Sequence, residues 1–162
     1  MERVQKIYRS DAFQHNLEEN RKAEVARRLC KHDMRHFLDV ARLAYIFSLE
    51  RGYEIPKEII YATALLHDIG KHCQYKDGTP HEIASAELAE PILIDTGFNE
   101  REQSEILAAI LAHRSGVKVS ESKSLLAEVI YDGDKRSRRC YDCEARDECN
   151  WGDDKKNLNI KW

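Results

Sequence analysis

His67 and Asp68 stand side by side at the end of the most apolar stretch of the chain, IIYATALLHDIGK, residues 59–71. A carboxylate buried beside an imidazole costs free energy unless its charge is compensated. Neutral imidazole and carboxylate are both metal ligands, so a metal ion is the natural compensator. The chain supplies more groups of the same kind on apolar faces. His36 shares helical spacing with Val40, Leu43 and Phe47, and His67 with Ile60 and Ala64. His113 lines up with Ile106, Ala109 and Ile110, and Asp134 with Leu126 and Ile130. His81 opens a further helix. A single histidine of this sort is commonly a hydrogen-bonded core residue. Four histidines and two aspartates facing inward would need many separate partners, whereas two shared metal ions compensate all of them together. His32, one turn before His36, and Asp132, two residues before Asp134, remain open as alternatives at their ends of the set.

Helices must position these groups. Strand-like alternation is absent and the chain holds only three prolines. Ser10 caps a first polar helix over about 11–29, and Asp33 caps a second that runs to Arg51 and stops at Gly52. Pro56 opens a third, which Gly70 ends just past the His-Asp pair. Thr79-Pro80-His81-Glu82 has the form of a capping box and starts a helix that bends near Pro91 and ends at Gly97. Asn99 and Glu102 repeat the cap signature for a helix toward His113, broken by Ser115-Gly116. A last helix covers about 122–138. The stretches 72–79 and 115–121 read as loops that choose the substrate.

The order H…HD…H…H…D resembles the HD superfamily of metal-dependent phosphohydrolases. HFLDVARLA from His36, ALLHDIGK, TPHEIASAELA, AILAHRSG and VIYDGDKRS are similar to its successive motifs, and the resemblance covers about residues 30–139. Within the superfamily, the spacing is most similar to bacterial symmetrical diadenosine tetraphosphate hydrolases, which are small di-iron proteins. The resemblance implies an all-α helical bundle of about six to seven helices, with an HD domain over 1–139 and a Cys-containing tail over 140–162 packed on it. Carried over by position, His36, His67, Asp68 and Asp134 hold one metal, and Asp68 bridges to a second held by His81 and His113. Iron is the metal the resemblance favours; manganese, zinc, magnesium and nickel suit the same ligands. The implied reaction is hydrolysis of a phosphoester or phosphoanhydride by a hydroxide shared between the ions. Asp68 and Lys71 are the catalytic candidates, and Lys71, Arg114 and Lys135 the candidates for holding substrate phosphate. Tyr45 and Tyr75 could stack a base, though each reads more simply as a packing residue.

The resemblance implies a phosphorylated small-molecule substrate, a nucleotide in the first instance. The net charge is −3 with mixed signs, so no basic field points to duplex nucleic acid. MERVQKIYRS is no signal peptide and no apolar run spans a bilayer, which reads as a cytoplasmic protein, alone or as a homodimer. Cys140, Cys143 and Cys149 form C-x2-C-x5-C, and Cys30 is the best fourth thiolate for a zinc or iron–sulfur site, with Cys73 the alternative. Two other readings use the same residues: a di-iron oxygenase of HD type, and a non-catalytic metal or redox sensor.

Overall fold

The computed structural model describes residues 1–113 and 124–161. Arg114 and the stretch 115–121 lie outside the described residues. Every regular element described is helical: α1 Glu2–Arg9, α2 Asp11–Ala23, α3 Met34–Glu50, α4 Lys57–Leu66, α5 Lys71–Asp77, α6 His81–Asp95, α7 Glu100–Ala112 and α8 Leu125–Arg136. Single-turn 3-10 helices at Cys140–Asp142 and Arg146–Glu148 follow. No described helix is long and apolar enough to cross a membrane.

The bundle is built around α4. Ile59, Ile60, Ala62, Thr63, Ala64, Leu65 and Leu66 are all buried there, as expected of a helix apolar on every side. It packs against α1, α3, α6, α7 and α8, while α3 also packs along α8 and α6 along α7. Phe13, Phe37, Ile69, Leu93, Ile106 and Ile130 complete the core from the surrounding elements. The caps follow the side-chain chemistry. Asp33 accepts from the backbone N–H groups of Arg35 and His36, Ser124 accepts from Ala127, and Asn99 with Glu102 forms a full capping box.

The structure departs from the sequence reading in four places. The first helix does not run to 29: α1 precedes it, and α2 ends at Ala23 because Glu24 turns inward. The stretch 72–79 is not a loop. Gly70, expected to stop a helix, instead starts α5, which ends at Gly78 in the left-handed conformation (φ +83°). Thr79 does not cap α6. Its hydroxyl donates to Asp77 Oδ1 at 2.6 Å, and Pro80 takes the cap position with no side-chain bond. The third helix closes at Leu66, so His67 and Asp68 sit in the turn between α4 and α5.

Two glycines mark close approaches that place this turn. A Cβ on Gly70 would lie 2.6 Å from Ser85 N and 2.7 Å from Ala84 C, both backbone atoms of α6. A Cβ on Gly133 would lie 2.9 Å from Val40 O, where α8 crosses α3. Helix propensity favours alanine over glycine by about 0.5–1 kcal/mol at a position such as 133. The backbone contact outweighs that preference, because the carbonyl cannot move without shifting α3. Gly133→Ala and Gly70→Ala should each destabilise the fold by about 1–3 kcal/mol, read from urea unfolding; unchanged or raised stability would show that the helices have room to separate.

Candidate metal centre

The Asp68 carboxylate is the hub. It is only 3% exposed, and its two oxygens face different groups. Oδ2 lies 3.3 Å from His67 Nε2 and 3.6 Å from His36 Nε2, and His36 Nε2 is 3.6 Å from Asp134 Oδ1. Oδ1 lies 3.2 Å from His81 Nε2 and 3.4 Å from His113 Nε2, which are 3.2 Å from each other. Ligand atoms of His36, His67, Asp68 and Asp134 all fall within 4.8 Å of one another, and so do those of Asp68, His81 and His113. These two sets share one carboxylate.

Each imidazole is held by its other nitrogen. The Nδ1–H of His67 donates to Ala64 O at 2.7 Å, and that of His113 to Ile110 O at 2.5 Å. His81 Nδ1 donates to Gln74 Oε1 at 2.6 Å. His36 Nδ1 meets Ser137 Oγ at 3.3 Å, and that hydroxyl in turn donates to Asp134 O at 2.8 Å. An acceptor at every Nδ1 assigns the proton there and leaves an Nε2 lone pair facing the centre, the arrangement of metal-ligating histidines. His36 Nε2, His67 Nε2 and Asp68 Oδ1 are buried with no hydrogen-bond partner. Buried polar atoms of this kind are rare in folded proteins, and a cation between them would satisfy all three.

The protonation states of His81 and of the two carboxylates agree with ligation. Burial pushes the His81 imidazole down to about 4, so it is neutral at physiological pH. Burial alone would raise the Asp68 carboxyl, but the ring of imidazoles around it, His67 and His32 foremost, holds it well below the ordinary range. Burial acts the same way on Asp134, and Lys135, His36 and Arg138 outweigh it. For His113 the balance tips upward: the Asp68 carboxylate beside it and the Ile110 carbonyl outweigh the lowering by burial. Carboxylates, imidazoles and the absence of sulfur from the set suit borderline divalent ions such as iron, manganese or zinc.

Comparison with protein families matches residues 33–139, more than half of the chain, to the HD domain. The chain belongs to the HD domain family. That family places it in the superfamily of metal-dependent phosphohydrolases. An uncharacterized protein of Clostridium beijerinckii is 48% identical over 160 residues, 99% of both chains. Ribonuclease Y of Lawsonia intracellularis is 40% identical over 80 residues, which is 49% of this chain and 14% of the relative. Ribonuclease Y 1 of Pediococcus pentosaceus is 31% identical over 93 residues, 57% of this chain and 16% of the relative. The chain therefore spans only a small part of the ribonuclease Y relatives. No solved structure matches.

The HD turn is clamped by residues that carry no motif. Asn20, fully buried on α2, donates to Asp68 O at 3.0 Å and accepts from His72 N at 2.8 Å. Ser85 Oγ accepts from Gly70 N at 3.0 Å. His32 also reaches the centre, with Nε2 3.7 Å from Asp68 Oδ2. Its Nδ1 is 2.5 Å from Oε1 of the buried Glu24, whose carboxylate also accepts from His32 N at 2.7 Å and from Tyr75 Oη at 2.7 Å. Burial raises the Glu24 carboxyl, but His32 and Tyr75 outweigh this and keep it below its usual range. The Tyr75 hydroxyl is thus committed to Glu24, and Tyr45 lies under Lys57 Nζ at 5.0 Å, so neither ring is among the residues lining the cavity at the centre. Asp132 pairs with Arg51 and Asp134 faces His36, which separates the two aspartates.

The positions make distinct demands on metal content. Asp68→Asn should lose metal from both sets, while His113→Ala should lose one ion and keep the other; both are read by metal analysis, with circular dichroism to check the helices. Gln74→Ala, which frees His81 to rotate, should weaken metal binding by about 10–100-fold. Full metal content in Asp68→Asn would remove the shared carboxylate from the account.

Proposed function

We propose that this HD domain hydrolyses a phosphoester or phosphoanhydride of a nucleotide or dinucleotide, with two divalent ions held by His36, His67, Asp68, Asp134, His81 and His113. The observation that carries the reading is a single buried carboxylate divided between two ligand sets, beside a cationic cavity. When bound, two such ions lower the pKa of a water toward neutrality and draw charge off phosphoryl oxygens. The cavity, about 310 Å³, is lined by Asp68, His81 and His113 together with Arg27, Lys71, Lys135 and Arg138. Those four cations suit an anionic substrate.

The side chains divide the work. Lys71 Nζ donates to Gln74 Oε1 at 3.2 Å and lies 3.3 Å from His81 Nδ1, so Gln74 holds the ammonium at the rim of the second ligand set. From there it would contact a phosphate oxygen and offset charge as the leaving group departs. Lys135 Nζ sits 2.6 Å from Asp134 Oδ2, and Arg138 Nη2 is 3.5 Å from the same oxygen. Arg138 Nη1 is buried without a partner, so it has a donor left for substrate. Arg114, the other phosphate candidate, lies outside the described residues.

The ribonuclease Y relatives support a second substrate class, a phosphodiester within RNA. Both classes belong in one experiment. Protein purified without oxygen and of known metal content is offered nucleotides, dinucleoside polyphosphates and a short oligoribonucleotide under argon. Phosphate or nucleotide release is expected from the wild type and none from Asp68→Ala. Lys71→Ala should lower kcat by about 10²–10³. Undiminished turnover in Asp68→Ala, or turnover that appears only with oxygen and cleaves carbon bonds, would overturn the hydrolase reading.

A further inference from the structure

The C-terminal segment poses a stability problem. Beyond Arg139 the described chain has no regular structure except two single-turn 3-10 helices, and Ala145 is its one buried apolar residue among those described. A segment with so small a core needs a covalent or metal staple to stay in one place. It carries three thiols, Cys140, Cys143 and Cys149, all half-buried and none in a disulfide.

These thiols meet a fourth. Cys30, in the connection between α2 and α3, lines the same cavity of about 440 Å³ as Cys140, Cys143 and Cys149. Two separate pieces of chain therefore converge on it. An ion pair between Arg28 and Glu148 ties the Cys30 connection to the residue before Cys149. Asn157 Nδ2 donates to Lys135 O and Arg138 O, both at 2.9 Å, and so returns the tail to the end of α8. Cys73 is elsewhere: it lies on α5, with its sulfur 3.6 Å from His72 Nδ1.

The spacing of the sulfurs discriminates between ligands. Among the described residues, the groups that bring three or more ligand atoms within 4.8 Å of one another are the two that share Asp68. No three of the four sulfurs around the cavity lie within that distance of one another. One tetrahedral zinc with bonds of ~2.3 Å would hold its thiolates about 3.8 Å apart and leave no cavity between them. A four-iron cluster takes one thiolate per iron, so it spreads four cysteines apart and fills the space they enclose. Charge fits too. Four thiolates and a cluster carry net negative charge, and the basic side chains lining the cavity outnumber the acidic ones seven to four.

We propose that Cys30, Cys140, Cys143 and Cys149 bind a four-iron iron–sulfur cluster that pins the C-terminal segment at the edge of the HD centre. Cys30, Cys140 and Cys149, with Asn150 and Trp151, also line the cavity that contains Asp68, His81 and His113. The cluster thus forms one wall of that cavity, whatever reaction the centre performs.

Acid-labile sulfide is the decisive readout, because iron alone could come from the His/Asp centre. The full chain, purified without oxygen, should contain ~4 sulfide per chain, with more iron than sulfide and the broad visible absorption of a thiolate-bound cluster. Cys143→Ser and Cys30→Ser should each lose the sulfide while retaining the iron bound at the HD centre, and Cys73→Ser should keep it. Wild-type protein that holds zinc and no sulfide, or no sulfide at all, overturns the proposal, and this result does not depend on any variant folding. Sulfide unchanged in Cys143→Ser overturns it as well. A failed phosphatase screen leaves the sulfide result standing, so the two proposals fail separately.

Discussion

A buried negative charge at Asp68 constrains everything around it. The carboxylate is ionised, almost wholly out of solvent, and surrounded by five imidazole nitrogens within 3.7 Å of one or other oxygen. In a low-dielectric interior such an arrangement is stable only if the charge is neutralised and the lone pairs find electrophiles. Imidazoles whose Nδ1 protons are committed to Ala64, Ile110, Gln74 and Ser137 present lone pairs of their own rather than protons. Lone pairs facing lone pairs repel unless a cation lies between them. The ligand geometry is thus a consequence of where the neighbouring acceptors are placed, more than of the histidines themselves.

Those acceptors depend on the bundle. Ala64 and Ile110 are one turn before the histidines they hold, so two tautomers are set by carbonyls in the last turns of α4 and α7. Asn20 from α2 and Ser85 from α6 add side-chain hydrogen bonds to the backbone of the HD turn and the start of α5. Gly70 lets α6 come close enough for Ser85 to do this. A side chain at 70 would push away the helix that carries His81, which connects a packing constraint directly to the second ligand set.

Much of this was legible in the sequence, and the missing parts share a cause. The helical period put His36, His67, His113 and Asp134 in phase with apolar neighbours, but Asp132 stayed open until the structure paired it with Arg51. Two residues along a helix turn about 200°, so only one of Asp132 and Asp134 can face inward. Helix α5 was not legible, because KHCQYKD has no apolar period; it is held by Gly70, Gly78 and the Asn20 contact with His72. Glu24 was missed for a similar reason. It reads as one more charge at the end of a polar helix, and its burial follows from partners at 32 and 75 that no local pattern announces. Thr79 misled in the opposite direction: the cap pattern was present, but Asp77 competed successfully for its hydroxyl.

The last turn of α8 joins the two halves of the molecule. Within five residues, Asp134 faces His36, Lys135 pairs with Asp134, Ser137 meets the His36 ring, and Arg138 stacks 3.7 Å over the Trp151 ring of the tail. Arg138 also lines both the cysteine cavity and the cavity at the HD centre. A displacement of the tail would move Trp151 and then the guanidinium, which helps hold Asp134 ionised. Asp134 belongs to the first ligand set, so one helical turn is enough to make the order of the C-terminal segment felt at the metal ligands.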